Sequence, residues 1–569
     1  MKYLKLCEIY KKISETTKRL EKIEILISFF SELRKEKNLE ILYLLNGKIN
    51  PDYDQRELGI SEQILIKALS KSFVIPSEKI IKEFKKLGDL GDVAESLSLQ
   101  KKQNFLFSSD LTCEKVIETL RKVQLMEGKK AIEKKISFIS ELFSLAKKDE
   151  IKFLTRTILG NLRIGISVPT ILEAISKYFF NGENKELIED KYNLSNDLVE
   201  IFLACSKGIE ELKKIDIKPG IPLNVMLAIK VQTIEEGLDF CGKPAAIEQK
   251  YDGFRALLNK TEKGDFFIFT RKLENVTKQF PDVVKILNEN IKAKSFILDS
   301  EIVGYNEKEK KYLPFEAISQ RIKRKYDIEK ISKEIPVEIN VFDCLYLDGE
   351  SKIKLPFIER RRLLDKIIKE ENLKIRKAVQ IKSSDVKEIK NFLDDAIKKG
   401  NEGIMIKNLN AEYKQGRRVG YMCKLKPELN EIDLVIVGAE YGTGKRSGSL
   451  TSFILACRDE DELLEVGKVS SGLKEKEEEG LTYEELTKIL KPLIVKENGR
   501  EVVVKPEVVV SVSYQNIQES PSYKSGYALR FPKILRYRPD RSWRDIATLE
   551  EIKKEGKQNF KKEKRVLKI

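Results

Sequence analysis

The sequence predicts a multidomain chain with an all-α N-terminal part, an α+β centre and a C-terminal β-barrel. Three observations carry that prediction. Apolar residues recur at three- and four-residue spacing through about the first 210 positions. Short β-like runs alternate with helical stretches from about 223 to 426, and short strands separated by turn signals fill the rest. A length of 569 residues suits about three or four domains.

In the first part, Leu20, Ile23, Leu26, Ile27 and Phe30 form one helical stripe, and Ile136, Phe138, Ile139, Leu142 and Phe143 form another. The stretch 213–222, with Pro219, Gly220 and Pro222, reads as a linker. In the centre, 266–269, 296–298 and 337–342 are strand-like, and 358–371 reads as helix between such runs. In the last part, 433–438, 452–456 and 508–512 are strands, interrupted by one helix at 482–493. Several strands and one helix in so short a span suit a small barrel of the OB type. The expected divisions are 1–215, 216–426 and 427–569, the last ending in a basic tail.

The composition is 41% hydrophobic and 35% charged, which suits a soluble globular protein. No apolar run approaches the ~18 residues of a membrane span. The first residues carry no signal-like apolar stretch, so a cytoplasmic protein is expected. A net charge of +16 favours a polyanionic partner, nucleic acid first. Seven cysteines are scattered without a Cys-x-x-Cys pair, against a zinc ribbon or a disulfide framework. The chain has no histidine, which excludes a Ser-His-Asp triad, a Cys-His dyad and a histidine base. Its chemistry must run on lysine, carboxylates, arginine and a bound metal.

A lysine with that potential stands in Glu248-Gln249-Lys250-Tyr251-Asp252-Gly253-Phe254-Arg255, just after the apolar run 245–247. An ammonium is costly to bury unless something uses it, and one use is as a nucleophile. Downstream come Thr270 to Thr277 with Arg271, the strand-like 297–303 with Glu301, and 341–349 with Phe342. Glu402 to Lys407 follows, and Lys424 and Lys426 then project to one side of a strand. Singly, each has an ordinary reading: a strand-face acid, a core aromatic, a charged edge. Their order and spacing together resemble motifs I, Ia, III, IIIa, IV and V of the covalent nucleotidyltransferases. Ala528 to Lys533 with Arg538 to Arg541 resembles motif VI on a C-terminal OB domain. Leu159 to Gly165 resembles the signature of a helical DNA-binding domain, and 222–228 the segment that opens the catalytic domain. Over nearly its whole length the chain resembles the archaeal-type ATP-dependent DNA ligases.

The resemblance implies a helical DNA-binding domain, an adenylation domain and an OB-fold domain, with ATP and Mg²⁺ as cofactors. It implies that Lys250 attacks the α-phosphate of ATP, that lysyl-AMP passes AMP to the 5′-phosphate at a nick, and that the 3′-hydroxyl expels it. Glu248 would read the adenine edge and Phe342 would stack on the base. Arg255 and Arg271 would hold nucleotide or nick phosphate. Glu301 would contact the ribose and share the metal with Glu402. Arg418, Lys424 and Lys426 would contact phosphate, and Arg538 and Arg541 would orient the β- and γ-phosphates, with a hinge near Pro427.

Arg163 and Gly165 would touch DNA through its phosphates. Gln103, Phe105 and Phe107 resemble the segment by which archaeal ligases bind a PCNA-type sliding clamp. A monomer acting on nicked duplex DNA in replication, repair and recombination is expected. Three positions depart from the pattern: Met422 where tryptophan is usual, Arg541 where lysine is usual, and Ser300 where glycine is common. An RNA ligase, a capping-type nucleotidyltransferase and a noncatalytic DNA-binding scaffold are the alternatives. The large helical region before Lys250 speaks against the first two, and retention of Lys250, Glu301 and Glu402 against the third. The missing Cys₄ zinc site disfavours an NAD-dependent DNA ligase.

Overall fold

The computed structural model describes residues 1–98, 110–128, 130–306, 311–313, 315–324, 326–416, 420–426, 430–442, 446, 448–474 and 481–556. Two compact units emerge: Met1–Leu393 with Gly403–Leu425, and Asp394–Glu402 with Lys426–Ile569.

The first unit opens with helices, running from Tyr3–Glu15 to Ile209–Lys213. Helix Arg19–Leu33 buries Ile23, Leu26, Phe29, Phe30 and Leu33, the spacing that places side chains on one helical face. Leu20, part of the expected stripe, is exposed at the first turn. Phe30 meets Phe202 edge-on at 5.3 Å between ring centres. Local signals set the helix ends. Asp197 accepts from the backbone N–H groups of Val199 and Glu200 to start Leu198–Lys207. Asn181 ends Val168–Phe180 in the left-handed conformation.

Twelve strands follow among the described residues of this unit. They are β1 (Ile229–Val231), β2 (Ala245–Lys250), β3 (Phe254–Lys260), β4 (Phe266–Thr270), β5 (Phe296–Asn306), β6 (Lys311–Tyr312), β7 (Val337–Leu347), β8 (Glu350–Ser351), β9 (Ile375–Lys377), β10 (Gln380–Ser383), β11 (Gly403–Lys407) and β12 (Met422–Leu425). One sheet has the order β1-β12-β11-β2-β10. The other runs β4-β3-β5-β7-β8, with β6 on β5 and β9 on β7. On one face of this second sheet, Ala256, Leu298 and Ile339 pack against Val283 and Leu287 of helix Pro281–Asn290 and Leu364 of helix Phe357–Ile367. Its opposite face meets the first sheet through Leu257, Ile297 and Leu345 on one side and Met405 and Met422 on the other. Both faces are covered, which is why these strands read as nearly continuous apolar runs. The helix expected over 358–371 ends at Ile367. Ile368 is extended and bridges to Ile291, so tertiary pairing overrides the local helical pattern.

The second unit holds β13 (Asn430–Tyr441), β14 (Leu450–Asp459), β15 (Glu462–Val469), β16 (Ile494–Asn498), β17 (Glu501–Val504), β18 (Val509–Tyr514), β19 (Ile517–Glu519), β20 (Tyr527–Leu529) and β21 (Lys533–Tyr537). Strand β13 pairs with β14 along one edge. Along its other edge it pairs first with β18 and then with β17. The sheet thereby curls into a half-barrel resembling an OB-fold. Helix Tyr483–Leu490 packs Leu486 and Leu490 into this core, and Thr482 and Glu485 close a capping box at its start. The helix expected to reach Leu493 gives way to a 3₁₀ turn at Lys491–Leu493, where Pro492 stands. Among the described residues no helix is long and apolar enough to cross a membrane.

Candidate active site

The site lies between the two sheets of the first unit, and strand alternation selects the residues that face it. In β2, Glu248 and Lys250 share a face. Glu248 stands opposite Met405 of β11, and Met405 stands opposite Lys424 of β12. One face of the first sheet therefore carries Glu248, Lys250, Met405, Lys407 and Lys424. Lys250 ends β2, half-buried, opposite Gly403.

The turn after Lys250 is fixed by Gly253. A Cβ there would sit 2.2 Å from the Ile302 carbonyl oxygen and 2.9 Å from its carbon, both backbone atoms that cannot yield. The glycine lets β3 dock against β5 directly after the lysine. We expect Gly253→Ala to shift this turn and slow self-adenylation about a hundredfold, the scale of an ångström-sized misplacement of a reacting group. The rate of label transfer from α-labelled ATP, compared at matched circular dichroism, checks this.

Glu248 is buried and both its oxygens are engaged. Gln380 Nε2 donates to Oε1 at 2.8 Å, and Lys407 Nζ lies 2.5 Å from Oε2. The Lys407 ammonium also lies 4.3 Å from the centre of the Phe342 ring and 4.9 Å from that of Phe357. Arg255 approaches the Phe342 ring as well, at 5.5 Å. A cleft here is lined by Arg255, Phe342, Lys407, Tyr413, Tyr421 and Met422.

Arg255 is held by a dense set of bonds. Its Nε and Nη2 donate to the two Asp299 oxygens at 2.9 and 2.6 Å, and its Nη1 to the Met226 carbonyl at 2.7 Å. The Tyr413 hydroxyl donates to Asp299 at 2.7 Å and accepts from the Met226 amide at 3.0 Å. Burial works against the Arg255 charge, but Asp299 outweighs it, and the guanidinium is held more firmly protonated than usual. Burial, reinforced by Asp299, pushes the Tyr413 phenol well above its ordinary range. Just after Phe342, Asp343 and Arg360 form a buried bidentate pair at 2.8 and 2.9 Å.

The other expected residues take these places. Glu301 is half-buried on β5, in register with Arg255. Arg271 is exposed in the turn after β4. Arg418, the hinge position Pro427 and the Gln103, Phe105 and Phe107 segment lie outside the described residues. In the second unit, Lys426 pairs with Glu402 at 2.7 Å. Arg538 binds Asp433 at 2.9 Å and Asp540 at 2.7 Å, and Arg541 reaches Asp433 at 3.2 Å.

Arg163 lies in the loop between helices Lys148–Ile158 and Val168–Phe180, in the left-handed conformation with φ +55°, 3.1 Å from Asp89. Lys22, nearly buried, donates to the Gly165 carbonyl at 2.7 Å and the Ile164 carbonyl at 3.2 Å, fixing the loop from beneath.

Sequence reasoning missed Gln380, Lys407, Asp299, Tyr413 and Lys22. Two of them left a signal: Lys407 closes the segment 402–407 already singled out, and Asp299 alternates with Glu301, so it shares that residue's face. Gln380, Tyr413 and Lys22 left none, because each arrives from a distant segment.

The family model described as "DNA ligase N terminus" matches residues 2–176. That described as "ATP dependent DNA ligase domain" matches 225–426, and that described as "ATP dependent DNA ligase C terminal region" matches 446–541. A DNA ligase of Nanoarchaeum equitans is 46% identical over 559 residues, covering 97% of this chain and 98% of the relative. One of Thermococcus fumicolans is 37% identical over 97% of this chain and 98% of its own. The solved structure named Pmar-Lig_Pre shares the fold, with a TM-score of 0.57 at 16% identity over 94% of this chain and 98% of that chain.

Proposed function

The chain belongs to the archaeal-type ATP-dependent DNA ligases, which seal nicks through an adenylate intermediate, and from that membership we propose how its own residues divide the work. The Lys250 amine, in its neutral form, attacks the α-phosphorus of ATP. A P–N bond forms, the P–O bond to pyrophosphate breaks, and the lysine carries AMP. AMP passes to the 5′-phosphate of the nick, and the 3′-hydroxyl displaces it. The observation that carries this assignment is the placement of Lys250, at the end of β2 beside the tight Gly253 turn and on one sheet face with Glu248, Lys407 and Lys424.

Glu248 accepts from the adenine amino group, with Gln380 and Lys407 fixing its carboxylate. Phe342 stacks on the base. Arg255, locked by Asp299, presents a rigid cationic edge toward the nucleotide, and Arg271 meets the nick phosphate. Glu301 meets the ribose. Arg418, Lys424 and Lys426 contact phosphate, and Arg538 and Arg541 take the β- and γ-phosphates. Glu301 and Glu402 hold Mg²⁺. Their hard carboxylate oxygens fit that ion, and among the described residues no group of three or more metal-binding side chains offers a full protein cage. When bound, Mg²⁺ supplies charge neutralisation at the phosphates. Arg163 and Gly165 touch the DNA backbone, 103–107 meets a sliding clamp, and the protein works as a monomer. The domains are 1–215, 216–426 and 427–569, the last a complete OB barrel.

The test is adenylate transfer. With α-labelled ATP and Mg²⁺, label attaches to the protein, maps to the peptide holding Lys250, and leaves as 5′-phosphorylated nicked duplex is sealed. Label from GTP alone, or label on another lysine, would overturn the assignment.

A further inference from the structure

Four neighbouring strands carry a continuous polar row on the site-facing side of the second sheet. In register across β3, β5, β7 and β9, Arg255 stands opposite Glu301, Glu301 opposite Asn340, and Asn340 opposite Arg376. Asn340 is fully buried, and among the described residues neither its Oδ1 nor its Nδ2 has a hydrogen-bond partner. Such an orphaned amide is rare in a folded core, because each unmet polar atom opposes folding. An apolar side chain of the same size would remove that cost, and the flanking Ile339 and Val341 show that this strand takes apolar residues readily. Two neighbours that could have satisfied the amide are committed elsewhere. The Arg255 guanidinium is taken by Asp299, Met226 and Tyr413, and Glu338 is taken by the Tyr312 hydroxyl.

We infer that Asn340 is a positioning residue for Glu301, and that its amide is satisfied only when nucleotide is bound. The inference rests on the role given above to Glu301 at the ribose. Directly opposite residues of an antiparallel pair have Cβ atoms about 4.5–5.5 Å apart, within reach of a short amide. The two groups of an Asn amide suit the two partners available in the loaded site. The Nδ2–H donates to the Glu301 carboxylate, which only accepts, and Oδ1 accepts from a ribose hydroxyl or from a water it holds. The amide thus sets the angle at which Glu301 meets the sugar, two residues before Phe342 meets the base. It forms no covalent bond in the reaction.

Asn340→Leu separates this role from a structural one. It removes both polar atoms while keeping the branched shape and the number of heavy atoms, so its melting temperature should equal or exceed that of the parent. Its KM for ATP in self-adenylation should nevertheless rise about tenfold, the effect of losing one hydrogen bond to a charged group, with kcat changed much less. Its preference for ATP over 2′-deoxy-ATP and 3′-deoxy-ATP should collapse toward unity, because Glu301 no longer reads the sugar. Asn340→Ser, smaller and still carrying a hydroxyl, should fall between the two, and it decides alone should the leucine variant not fold. An unchanged KM together with an unchanged sugar preference overturns the inference. Glu301→Gln is measured beside them. If that variant is impaired while the Asn340 variants are not, only this inference fails; if it keeps the full sugar preference, the role of Glu301 fails and that of Asn340 with it.

Discussion

Lys250→Ala should leave no detectable protein-bound label from α-labelled ATP and no sealing of a 5′-phosphorylated nick. No other group in the described site combines the required chemistry and placement. Lys407 shares the sheet face but is tied to Glu248 and held over two aromatic rings. Lys424 lies two strands away across Met405. The substitution removes the side chain proposed to form the P–N bond and leaves β2 intact, since Lys250 is its last residue and only half-buried. Melting behaviour should therefore stay close to that of the parent. A nick whose 5′-phosphate already carries AMP needs only attack by the 3′-hydroxyl, so the variant should still join that substrate, measured by gel in a single turnover. Full adenylation of the alanine variant would remove Lys250 from the mechanism altogether.

Arg360→Met should be the most destabilising single change near the site, by about 3–5 kcal/mol. The guanidinium and the Asp343 carboxylate are both buried and bonded twice to each other, and Arg360 also donates to the Leu355 and Ala411 carbonyls. Removing the arginine leaves a buried carboxylate without its cation and a carbonyl at Ala411 without its donor. A fall of roughly 10 °C in the melting transition is expected. Asp343→Leu combined with Arg360→Met should recover most of that loss, because the cost comes from the uncompensated charge. Phe342 precedes Asp343, so ATP affinity of the single variant should drop as well, and thermal melting with and without ATP separates the two effects. A single variant as stable as the parent would show that the pair is dispensable to the fold.

The three-part architecture was legible because periodicity changes along the chain. A 3.6-residue period sustained to about 210 forces helices, and the switch to short alternating or continuous apolar runs forces strands, whatever the tertiary arrangement. The helix end at Ile367 was not legible because 368–371 still carries helical residues, and only pairing of Ile368 with Ile291 draws that stretch into extended conformation. The pairing partner lies far away in sequence, where a local pattern cannot point to it.

The site divides along the same line. By itself the sequence determined the chemistry. Without a histidine, and with Lys250, Gly253 and Arg255 followed by Glu301, Phe342, Glu402 and Lys424 in fixed order, it pointed to the lysine nucleophile, base platform and metal carboxylates proposed above. Those residues are legible because reacting groups must be of particular types, and strand alternation puts Lys250 and Lys424 on one face of the first sheet and Arg255 and Glu301 on one face of the second. Only the tertiary structure decided what holds them in place. Asp299 and Tyr413 lock Arg255, Gln380 and Lys407 clamp Glu248, Lys22 braces the Gly165 loop, and Asn340, beside Glu301, has no hydrogen-bond partner among the described residues. Supporting contacts of this kind constrain distance and direction more than residue type, and distance between remote segments is set by how sheets register and pack.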